Sequence, residues 1–321
     1  MKLRNKKILI VGAGLMAQEY LKVLLAMKFD VQVICRSNQS AEKFYKNTGH
    51  IAFAGGLGEF LNNGNIDFSI AIVAVSIEHL STITLQLIQN GFKHILVEKP
   101  ASLTTKAIQE IDNHANEKKV KVFVAYNRRF YASSQKAKEI IKSDGGVRSF
   151  SFQFTEWSHT INDLKKGPQV KEKWFLSNST HVVDLAFFLC GEPREINCYI
   201  EGEDDISWHP IGSIFTGSGK TFDNVLFSYH ADWKGPGSWG LDIITENHRL
   251  ILKPMEKLQI QEIGSIQPVD YQMSYDLDER FKPGLYAQVE AFIDHNEEDL
   301  CTITHQKKSM IVFNKISNYN T

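Results

Sequence analysis

The sequence has few cysteines, almost no net charge and no long hydrophobic run. Four cysteines occur among 321 residues, without any CxxC spacing, which argues against a disulfide framework and a zinc site. The formal net charge of -1 gives no long-range field that would attract nucleic acid or an acidic membrane surface. No segment approaches the roughly 20 apolar residues that span a bilayer. We therefore expect a soluble, cytoplasmic protein with reduced thiols, no bound metal, and neither nucleic-acid nor membrane partners.

A basic stretch at the N-terminus superficially resembles the start of a signal peptide. Lys2–Lys7 precedes the apolar run Ile8–Val11. Gly12 and Gly14 then interrupt the apolar residues, and no small-residue cleavage site follows. A first β-strand explains this segment better.

The length and composition predict two folded domains. A chain of 321 residues is longer than one hydrophobic core usually supports. Apolar residues make up 43% and charged residues 23%, close to the average for globular proteins. The sequence pattern changes near Tyr126, so we predict one domain over residues 1–125 and another over residues 126–321.

The first part alternates short apolar runs with amphipathic segments, which is typical of βαβ units and a parallel sheet. The continuous apolar run Phe68–Val75 fits a parallel strand buried on both faces. The pattern predicts a doubly wound α/β domain. Its predicted strands are Lys7–Val11, Val31–Cys35, Phe68–Val75, His94–Val97 and Val120–Ala125, and its predicted helices are Leu15–Met27, Ser40–Asn47, Glu78–Asn90 and Leu103–Lys118.

The second part has a different pattern. Phe150, Phe152 and Phe154 alternate with polar residues, and this period of two indicates an antiparallel sheet with one covered face. Further strands and helices predict an α+β domain. The predicted strands are Val147–Trp157, Glu195–Glu201, Ser213–Thr216, Asn224–Tyr229, Leu241–Thr245 and Leu250–Leu252, and the predicted helices are Phe130–Lys142, Thr180–Leu189, Tyr286–Asn296 and His305–Ser317.

A GxGxxA motif leaves the first predicted strand and opens the first predicted helix. Gly12 allows the tight turn, Gly14 lets the backbone approach a pyrophosphate, and Ala17 is small enough for helix packing. The helix N-terminus then offers free N–H groups to the phosphates. The motif alone is weak, but in this strand and helix context it predicts a dinucleotide site that includes Leu15 and Met16.

The second predicted strand ends without the carboxylate that usually holds the ribose hydroxyls of NAD. Arg36 and Ser37 stand there instead. The arginine could pair with a 2′-phosphate and the serine could donate to the same phosphate, although a solvated arginine in a turn is the simpler alternative. This favours NADP over NAD as the cofactor.

The motif Glu98-Lys99-Pro100 closes a predicted parallel strand, at the edge of the sheet where open α/β folds bind ligands. A partly desolvated lysine there could exchange a proton with a substrate hydroxyl. Taken alone, the motif is better explained by an ordinary strand-end lysine followed by a turn proline.

A polar stretch from Ser177 to Thr180 leads into an apolar helix that carries His181 and Asp184 on one face. Histidine is the side chain best suited to remove a hydroxyl proton near neutral pH. A single histidine among 11 would by itself more often be structural.

Four landmarks together resemble the glucose-fructose oxidoreductase, inositol dehydrogenase and rhizopine catabolism (Gfo/Idh/MocA) family. The match covers nearly the whole chain in the order of the family. The landmarks are the GxGxxA motif, Glu98-Lys99-Pro100, the segment Tyr126–Phe130, and His181-x-x-Asp184 followed by Gly191-Glu192-Pro193.

The resemblance implies a Rossmann domain joined to an α/β domain with a large open sheet, through which members often form dimers or tetramers. It implies that Lys99 and His181 are catalytic and that the bond before Pro100 is cis. Many members have an aspartate four residues before the histidine, whereas this chain has Ser177, with Asn178 beside it. Two alternatives follow from this difference. Either Lys99 and His181 carry out proton transfer with help from a hydroxyl or amide group, or the activity is altered.

The other expected contacts complete the predicted site. Arg129, Trp157, His159 and Trp233 are further substrate-side candidates that solvation or core packing explains about equally well. The remaining predicted cofactor contacts are Ser76, His79, Glu98 and Lys99, and the predicted substrate contacts are Tyr126, Arg128, Trp174, Ser177, Asn178 and His181.

The predicted activity is hydride transfer between a nicotinamide and a carbinol or carbonyl carbon of a sugar, sugar nucleotide or cyclitol. Resemblance to members from bacterial surface-polysaccharide pathways favours the sugar substrates. Two alternatives keep the same fold: a non-catalytic NADP-binding sensor or scaffold, and a glycoside hydrolase that uses bound NAD without net oxidation.

Overall fold

The computed structural model describes residues 7–64 and 68–319, and it divides into two compact units. The basic residues before Lys7, including Lys2, lie outside the described residues. In these two ranges, no helix has both the length and the apolar character needed to cross a bilayer. The first unit comprises Met1–Asn127 and Leu277–Lys308, and the second comprises Arg128–Asp276 and Ser309–Thr321.

The first unit contains a seven-stranded sheet with the strand order β15-β6-β5-β4-β1-β2-β3. Its strands are β1 (Lys7–Val11), β2 (Val31–Cys35), β3 (Ala52–Ala54), β4 (Phe68–Val73), β5 (His94–Glu98), β6 (Lys121–Ala125) and β15 (Cys301–Thr302). All neighbours are parallel except β15, which pairs with β6 in the antiparallel sense. The predicted doubly wound sheet is therefore confirmed.

Helices cover this sheet because its strands are apolar on both faces. Ile8, Leu9 and Ile10 of β1, for example, are all completely buried. The helices are α1 (Leu15–Ala26), α2 (Asn38–Thr48), α3 (Gly56–Asn62), α4 (Leu80–Gln89), α5 (Thr105–Lys118), α10 (Asp276–Arg280), α11 (Leu285–Asp294) and α12 (Ile303–Ser317), the last divided between the two units.

Residues 277–308, which the predicted boundaries group with the second domain, belong to the first unit. The physical reason is that α11 packs against α1 and β15 extends the sheet beyond β6. A segment far along the chain thereby completes the N-terminal fold.

The second unit contains an eight-stranded sheet with the order β14-β13-β12-β11-β7-β10-β9-β8. Only the β7–β10 pair is parallel among the recorded strand pairs of this sheet, so the predicted, mostly antiparallel sheet is confirmed. The strands are β7 (Ser149–Phe154), β8 (Pro193–Glu201), β9 (Ile214–Thr221), β10 (Leu226–Asp232), β11 (Trp239–Ile244), β12 (His248–Leu252), β13 (Gln259–Glu262) and β14 (Val269–Asp270).

One face of this sheet is covered by helices. The alternating phenylalanines of β7 are buried, while Ser151 and Gln153 between them are exposed. Phe187 packs edge-on against Phe150 and Phe152, with ring centroids 6.1 and 5.7 Å away. The helices are α6 (Ala132–Ser143), α7 (Ser158–Asn162), α8 (Pro168–Glu172) and α9 (Thr180–Cys190), the last of which carries Phe187.

Candidate active site

The predicted cofactor residues of the first unit follow four strands that are neighbours in the sheet, in the order β2-β1-β4-β5. Because these strands are parallel, their carboxyl ends lie along one edge of the sheet. Gly12 and Gly14 follow β1, Arg36 follows β2, Ser76 follows β4, and Lys99 follows β5. The sheet therefore brings the predicted cofactor contacts to one edge.

The two glycines of the GxGxxA turn have different structural roles. Gly12 has φ +126°, and a Cβ built on it would lie 2.2 Å from the Ala74 carbonyl oxygen. Gly14 has an ordinary φ of -80°, and a Cβ there would meet nothing within 4 Å. Gly12 is therefore required by the fold, whereas Gly14 leaves open space beside the start of α1.

The N-terminus of α1 is suited to hold an anion. Its first helical hydrogen bond runs from the Gln18 N–H to the Gly14 carbonyl over 3.1 Å, so the earlier amides of the turn have no partner within the helix. Gly14 provides no side-chain cap. Leu15 is 79% exposed and Met16 is half-buried, while Ala17 is fully buried. The residues before Ala17 thus remain accessible to a ligand.

Arg36 and Ser37 are both exposed where β2 ends. The Ser37 hydroxyl accepts a hydrogen bond of 3.3 Å from the Ser40 N–H and so caps α2. Arg36 is the cationic side chain of the turn between β2 and α2, and no acidic residue stands in that turn. A 2′-phosphate would meet a positive charge there and no carboxylate from this turn.

Ser76 precedes a 3₁₀ turn, Ile77–His79, and His79 ends it; both side chains are exposed. The turn lies between β4 and α4. These two predicted cofactor residues are therefore accessible at the same sheet edge as Gly12.

The end of β5 holds a polar pair formed by a buried tyrosine and a half-buried carboxylate. The Tyr20 hydroxyl donates a hydrogen bond of 2.7 Å to the Glu98 carboxylate, and Tyr20 itself is fully buried. Burial raises the pKa of the Glu98 carboxyl, and the Tyr20 hydrogen bond and the Lys99 charge oppose that rise. Lys99 is half-buried, and its bond to Pro100 is cis. A backbone hydrogen bond of 2.9 Å from Ala101 to the Glu98 carbonyl closes the turn.

Tyr126 is fully buried directly after β6. The neighbouring Asn127 donates a hydrogen bond of 2.9 Å from its side chain to the Pro283 carbonyl. These two residues therefore attach the end of the Rossmann-type sheet to the segment that returns late in the chain.

In the second unit, His181 is the second residue of α9 and only 7% exposed. A π-helical turn, Phe175–Ser179, immediately precedes this helix. Such turns are rare and occur frequently at functional sites. The Ser177 hydroxyl donates to backbone carbonyls of Val170, Lys173 and Trp174, at 3.1 to 3.2 Å, so it stabilises the turn itself.

A buried carboxylate that the sequence did not single out is attached to the same turn. Glu156 is 5% exposed and accepts hydrogen bonds from the Asn178 amide, at 2.9 and 3.1 Å, and from the Ser179 hydroxyl, at 2.7 Å. Position 177 lacks an aspartate, yet a carboxylate is bonded to the two residues that follow it. The clue in the sequence was an acidic residue two positions after the alternating strand.

Asp184, which shares the helix face of His181, is occupied by another partner. Its carboxylate receives two hydrogen bonds from the Arg129 guanidinium, at 2.8 and 2.6 Å, and both side chains are buried. The Arg129 guanidinium carbon also lies 4.7 Å from the centroid of the Phe188 ring. This pair therefore joins the segment before α6 to α9 and accounts for both residues structurally.

Arg128 and His181 meet around an aromatic ring that sequence analysis missed. The Arg128 guanidinium carbon is 4.7 Å from the Trp239 ring centroid, and the His181 and Trp239 ring centroids are 6.2 Å apart. Trp239 is half-buried at the start of β11. A cation, an imidazole and an aromatic face thus form one cluster, which no spacing in the sequence could reveal.

The other aromatic candidates lie elsewhere. Trp157 is 57% exposed and donates to the Gly237 carbonyl, with the exposed His159 ring stacked 6.4 Å away. Trp233 is 1% exposed and donates to the Phe154 carbonyl, so it belongs to the core. Trp174 is 7% exposed, and no described residue accepts a hydrogen bond from its indole N–H.

Comparison with known proteins gives a consistent picture. Residues 6–126 match an oxidoreductase family with an NAD-binding Rossmann fold. The chain is 22% identical over 209 residues to a scyllo-inositol 2-dehydrogenase (NADP(+)) of Bacillus subtilis, an alignment that covers 62% of this chain and 56% of that protein. The aligned part thus spans little more than half the length of this relative.

Two solved structures share the fold over nearly their whole length. A putative NADPH-dependent oxidoreductase from Desulfitobacterium hafniense has a TM-score of 0.79 at 18% identity, covering 98% of this chain and 95% of that one. A levoglucosan dehydrogenase in complex with NADH has a TM-score of 0.78 at 16% identity, covering 98% and 96%. At these identities the likeness establishes the architecture of both units.

Proposed function

Because the chain belongs to the Gfo/Idh/MocA family of oxidoreductases, we propose that it is an NAD(P)-dependent dehydrogenase or reductase acting on CH–OH groups. The substrate we propose is a sugar, sugar nucleotide or cyclitol. The inositol and levoglucosan dehydrogenases that resemble this chain support that class of substrate.

The observation that carries the proposal is the arrangement of the strand ends in the first unit. Open space beside Gly14, the uncapped N-terminus of α1 and the half-buried Lys99 lie at the ends of neighbouring parallel strands. A pyrophosphate fits a helix N-terminus with free amides and no blocking side chain. We propose that residues 1–125 bind the dinucleotide and that, within residues 126–321, the part that forms the second unit binds the substrate.

We further propose that NADP is preferred over NAD. Support comes from the exposed guanidinium of Arg36 and the exposed hydroxyl of Ser37 at the end of β2. Arginine recognises phosphate through several N–H donors at once, and an aspartate or glutamate that would repel a 2′-phosphate is missing from this turn.

For the chemistry, we propose that Lys99 and His181 move the hydroxyl proton of the substrate. When bound, the nicotinamide supplies the site that accepts or gives the hydride. Lys99 follows the half-buried carboxyl of Glu98, and His181 is the second residue of a helix that a π-helical turn directly precedes. The Glu156 hydrogen bonds to Asn178 and Ser179 keep that turn rigid.

Substrate orientation is assigned to the cluster of Arg128, Trp239 and His181 in the second unit. An aromatic face suits the apolar side of a sugar ring, and a guanidinium suits an anionic group on it. The distances of 4.7 and 6.2 Å that join these side chains are compatible with one small ligand touching all three.

We also propose that the protein is a homodimer or homotetramer in the cytoplasm. The uncovered face of the second sheet exposes Leu226 and Tyr199, which are 60% and 66% accessible. No disulfide joins Cys35, Cys190, Cys198 and Cys301 in the described residues, and reduced thiols would fit the cytoplasm. A monomer by light scattering at micromolar concentration would contradict the assembly.

A role in surface-polysaccharide synthesis stays a prediction, which the identity of neighbouring genes would test.

The test of function is a substrate panel with both cofactors. Purified protein is mixed with NADP or NAD and with inositols, anhydrosugars, free sugars and sugar nucleotides, and cofactor reduction is followed by absorbance. We expect turnover with at least one cyclic polyol, and its loss in Lys99→Ala but not in Lys93→Ala, a change of an exposed lysine just before β5.

Two outcomes would overturn the proposal. Binding of the dinucleotide without reduction by any member of the panel would favour a sensor or scaffold. Cleavage of a glycoside with a dinucleotide that never exchanges would favour the hydrolase.

A further inference from the structure

Three metal-binding side chains lie together in the first unit, away from the strand ends described above. His94 is the first residue of β5, so it lies at the opposite end of that strand from Glu98 and Lys99. His295 and Glu297 follow the C-terminal end of α11. Neither the dinucleotide site nor the proposed proton transfer uses any of the three.

The geometry of this cluster fits one ion. One ligand atom of each residue lies within 4.8 Å of the corresponding atoms of the other two. The His295 Nδ1 and the Glu297 Oε1 are 3.9 Å apart. The His94 and His295 ring centroids are 4.6 Å apart at 62° to each other. Two imidazoles and one carboxylate are therefore close enough to one another to share one ion.

His94 is held in place before any ion arrives. Its ring stacks on Phe292 at 4.3 Å and meets the edge of Phe123 at 5.4 Å. Its Nε2 lies 2.7 Å from the Phe292 carbonyl, and because a carbonyl only accepts, that nitrogen carries the hydrogen and Nδ1 keeps the lone pair. A metal-bound histidine usually donates its other N–H in this way.

The other two ligands open the cluster to solvent. The side chains of His295 and Glu297 are 45% and 30% exposed, which gives an ion a path to the buried His94. His295 has φ +58° directly after α11, a left-handed conformation that histidine adopts more often than most residues with a side chain.

We propose that His94, His295 and Glu297 bind a first-row divalent transition metal ion such as Zn²⁺, with water completing the coordination. A set of two nitrogens and one carboxylate oxygen is typical for zinc and its neighbours and atypical for Mg²⁺ or Ca²⁺. The ion would join the start of β5 to the segment after α11. Its role is to fix residues 277–308 on the first unit.

One neighbouring cation competes with the ion. The Lys121 ammonium lies 2.6 Å from the Glu297 Oε1, and its side chain is 56% exposed. Metal binding must share or displace this ammonium. Removal of the lysine charge should therefore increase affinity, whereas a purely structural role for the ion pair would give no such gain.

The experiment is metal titration of EDTA-treated, full-length protein with Zn²⁺ by calorimetry, with Tm as a second measure. We expect one equivalent to bind and to raise Tm as its concentration rises. Because His295→Gln changes an exposed side chain and should fold normally, it carries the test. It should weaken Zn²⁺ binding by about 10- to 100-fold or more, as should Glu297→Gln.

The controls separate this site from adventitious binding. His114→Gln changes a half-buried histidine of α5 outside this cluster and should bind Zn²⁺ like the wild type. Lys121→Gln should bind Zn²⁺ more tightly. Unchanged Zn²⁺ affinity in His295→Gln, or weaker binding in Lys121→Gln, would overturn the proposal. Cofactor reduction is measured separately, so failure of the metal site and failure of the dehydrogenase assignment are distinguishable.

Discussion

Tyr20 donates a hydrogen bond of 2.7 Å to Glu98, and so α1, which begins after the glycine turn, is attached to the end of β5 next to Lys99. Burial raises the pKa of the Tyr20 hydroxyl well above its usual range, and the Glu98 carboxylate adds to that rise. The tyrosine therefore stays protonated and remains a donor. The two strand-end motifs of the first unit are thus coupled through one buried bond.

Tyr20→Phe should destabilise the protein and disturb this corner of the site. Loss of a donor to a partly buried carboxylate costs about 1 to 3 kcal/mol, because the acceptor keeps its desolvation penalty. Urea unfolding of wild type, Tyr20→Phe and Tyr45→Phe would measure it, since Tyr45 is 56% exposed on α2. A free energy of unfolding for Tyr20→Phe equal to that of the Tyr45→Phe control would contradict this expectation.

The glycine turn offers a pair of variants with opposite expected effects. Gly12→Ala should lower stability by about 3 kcal/mol or more, because its Cβ would collide with the Ala74 carbonyl and its φ is +126°. Gly14→Ala should unfold like wild type but weaken dinucleotide binding by about tenfold or more, equivalent to about 1.4 kcal/mol, since the methyl group fills the open space.

Gly58→Ala in α3 is the matched control for both, because a Cβ there meets nothing within 4 Å. Dinucleotide titration and urea unfolding of the three variants would separate the two roles. If Gly14→Ala bound both cofactors as tightly as Gly58→Ala, the pyrophosphate would have to lie elsewhere.

Cofactor preference should depend on Arg36. Arg36→Ala should weaken NADP binding by about 10- to 100-fold, the equivalent of a lost hydrogen bond to a charged group, while NAD binding stays nearly constant. Fluorescence titration of both cofactors measures the ratio. Lys43→Ala, which removes another exposed positive charge from α2, controls for general electrostatics. Tighter binding of NAD than NADP by the wild type would show the preference to be wrong.

Lys99 and His181 should behave as one proton-transfer unit. Lys99→Ala and His181→Ala should each lower kcat by about 10² to 10⁴ and leave cofactor affinity nearly intact. The double variant should lose much less than the product of the two losses, because groups that act on one step are not additive. Wild-type turnover in His181→Ala, with a substrate from the panel, would return this histidine to a structural role.

Stability of the second unit should fall on mild acidification because of His209. Burial lowers the pKa of this fully buried histidine below its usual 6.5, and the hydrogen bond with the Gly212 carbonyl opposes that decrease without cancelling it. Below pH 6.5 the unfolded chain therefore binds the proton more readily, and the free energy of unfolding decreases.

Urea unfolding above and below that pH would measure the effect. The decrease should be smaller in His209→Gln than in wild type, whereas a change of the exposed His230 to Gln should keep the wild-type slope. Equal slopes for His209→Gln and wild type would rule out this histidine as the cause.

Much of the fold was predictable because buried parallel strands are short, continuous apolar runs. β1, β2 and β4 stand out in the sequence for this reason. β3 and α3, at three and seven residues, are too short to show a period, and β13 carries three polar residues among its four. These elements take their structure from their neighbours.

The site was predictable where motif and strand end coincide, as at Gly12, Gly14 and Lys99. Glu156 and Trp239 could not be found in this way, because tertiary packing brings them to the turn before α9 and to Arg128. The three proposed metal ligands could not be found from the sequence either, because the expectation of no metal rested on cysteine spacing and stays untested. His94 and His295 are brought together only by the return of residues 277–308.

That return sets the order of events during synthesis. The ribosome makes Met1–Asn127 early, but β15 and α11, which complete the sheet edge and cover α1, emerge only with Leu277–Lys308. Translation adds about 5 to 20 residues per second, so about 10 to 35 seconds pass between the synthesis of β6 and that of β15. During this time β6 is an unpaired edge of the nascent sheet. An unpaired strand edge is prone to aggregation, so the growing chain presents a target for chaperones throughout that interval.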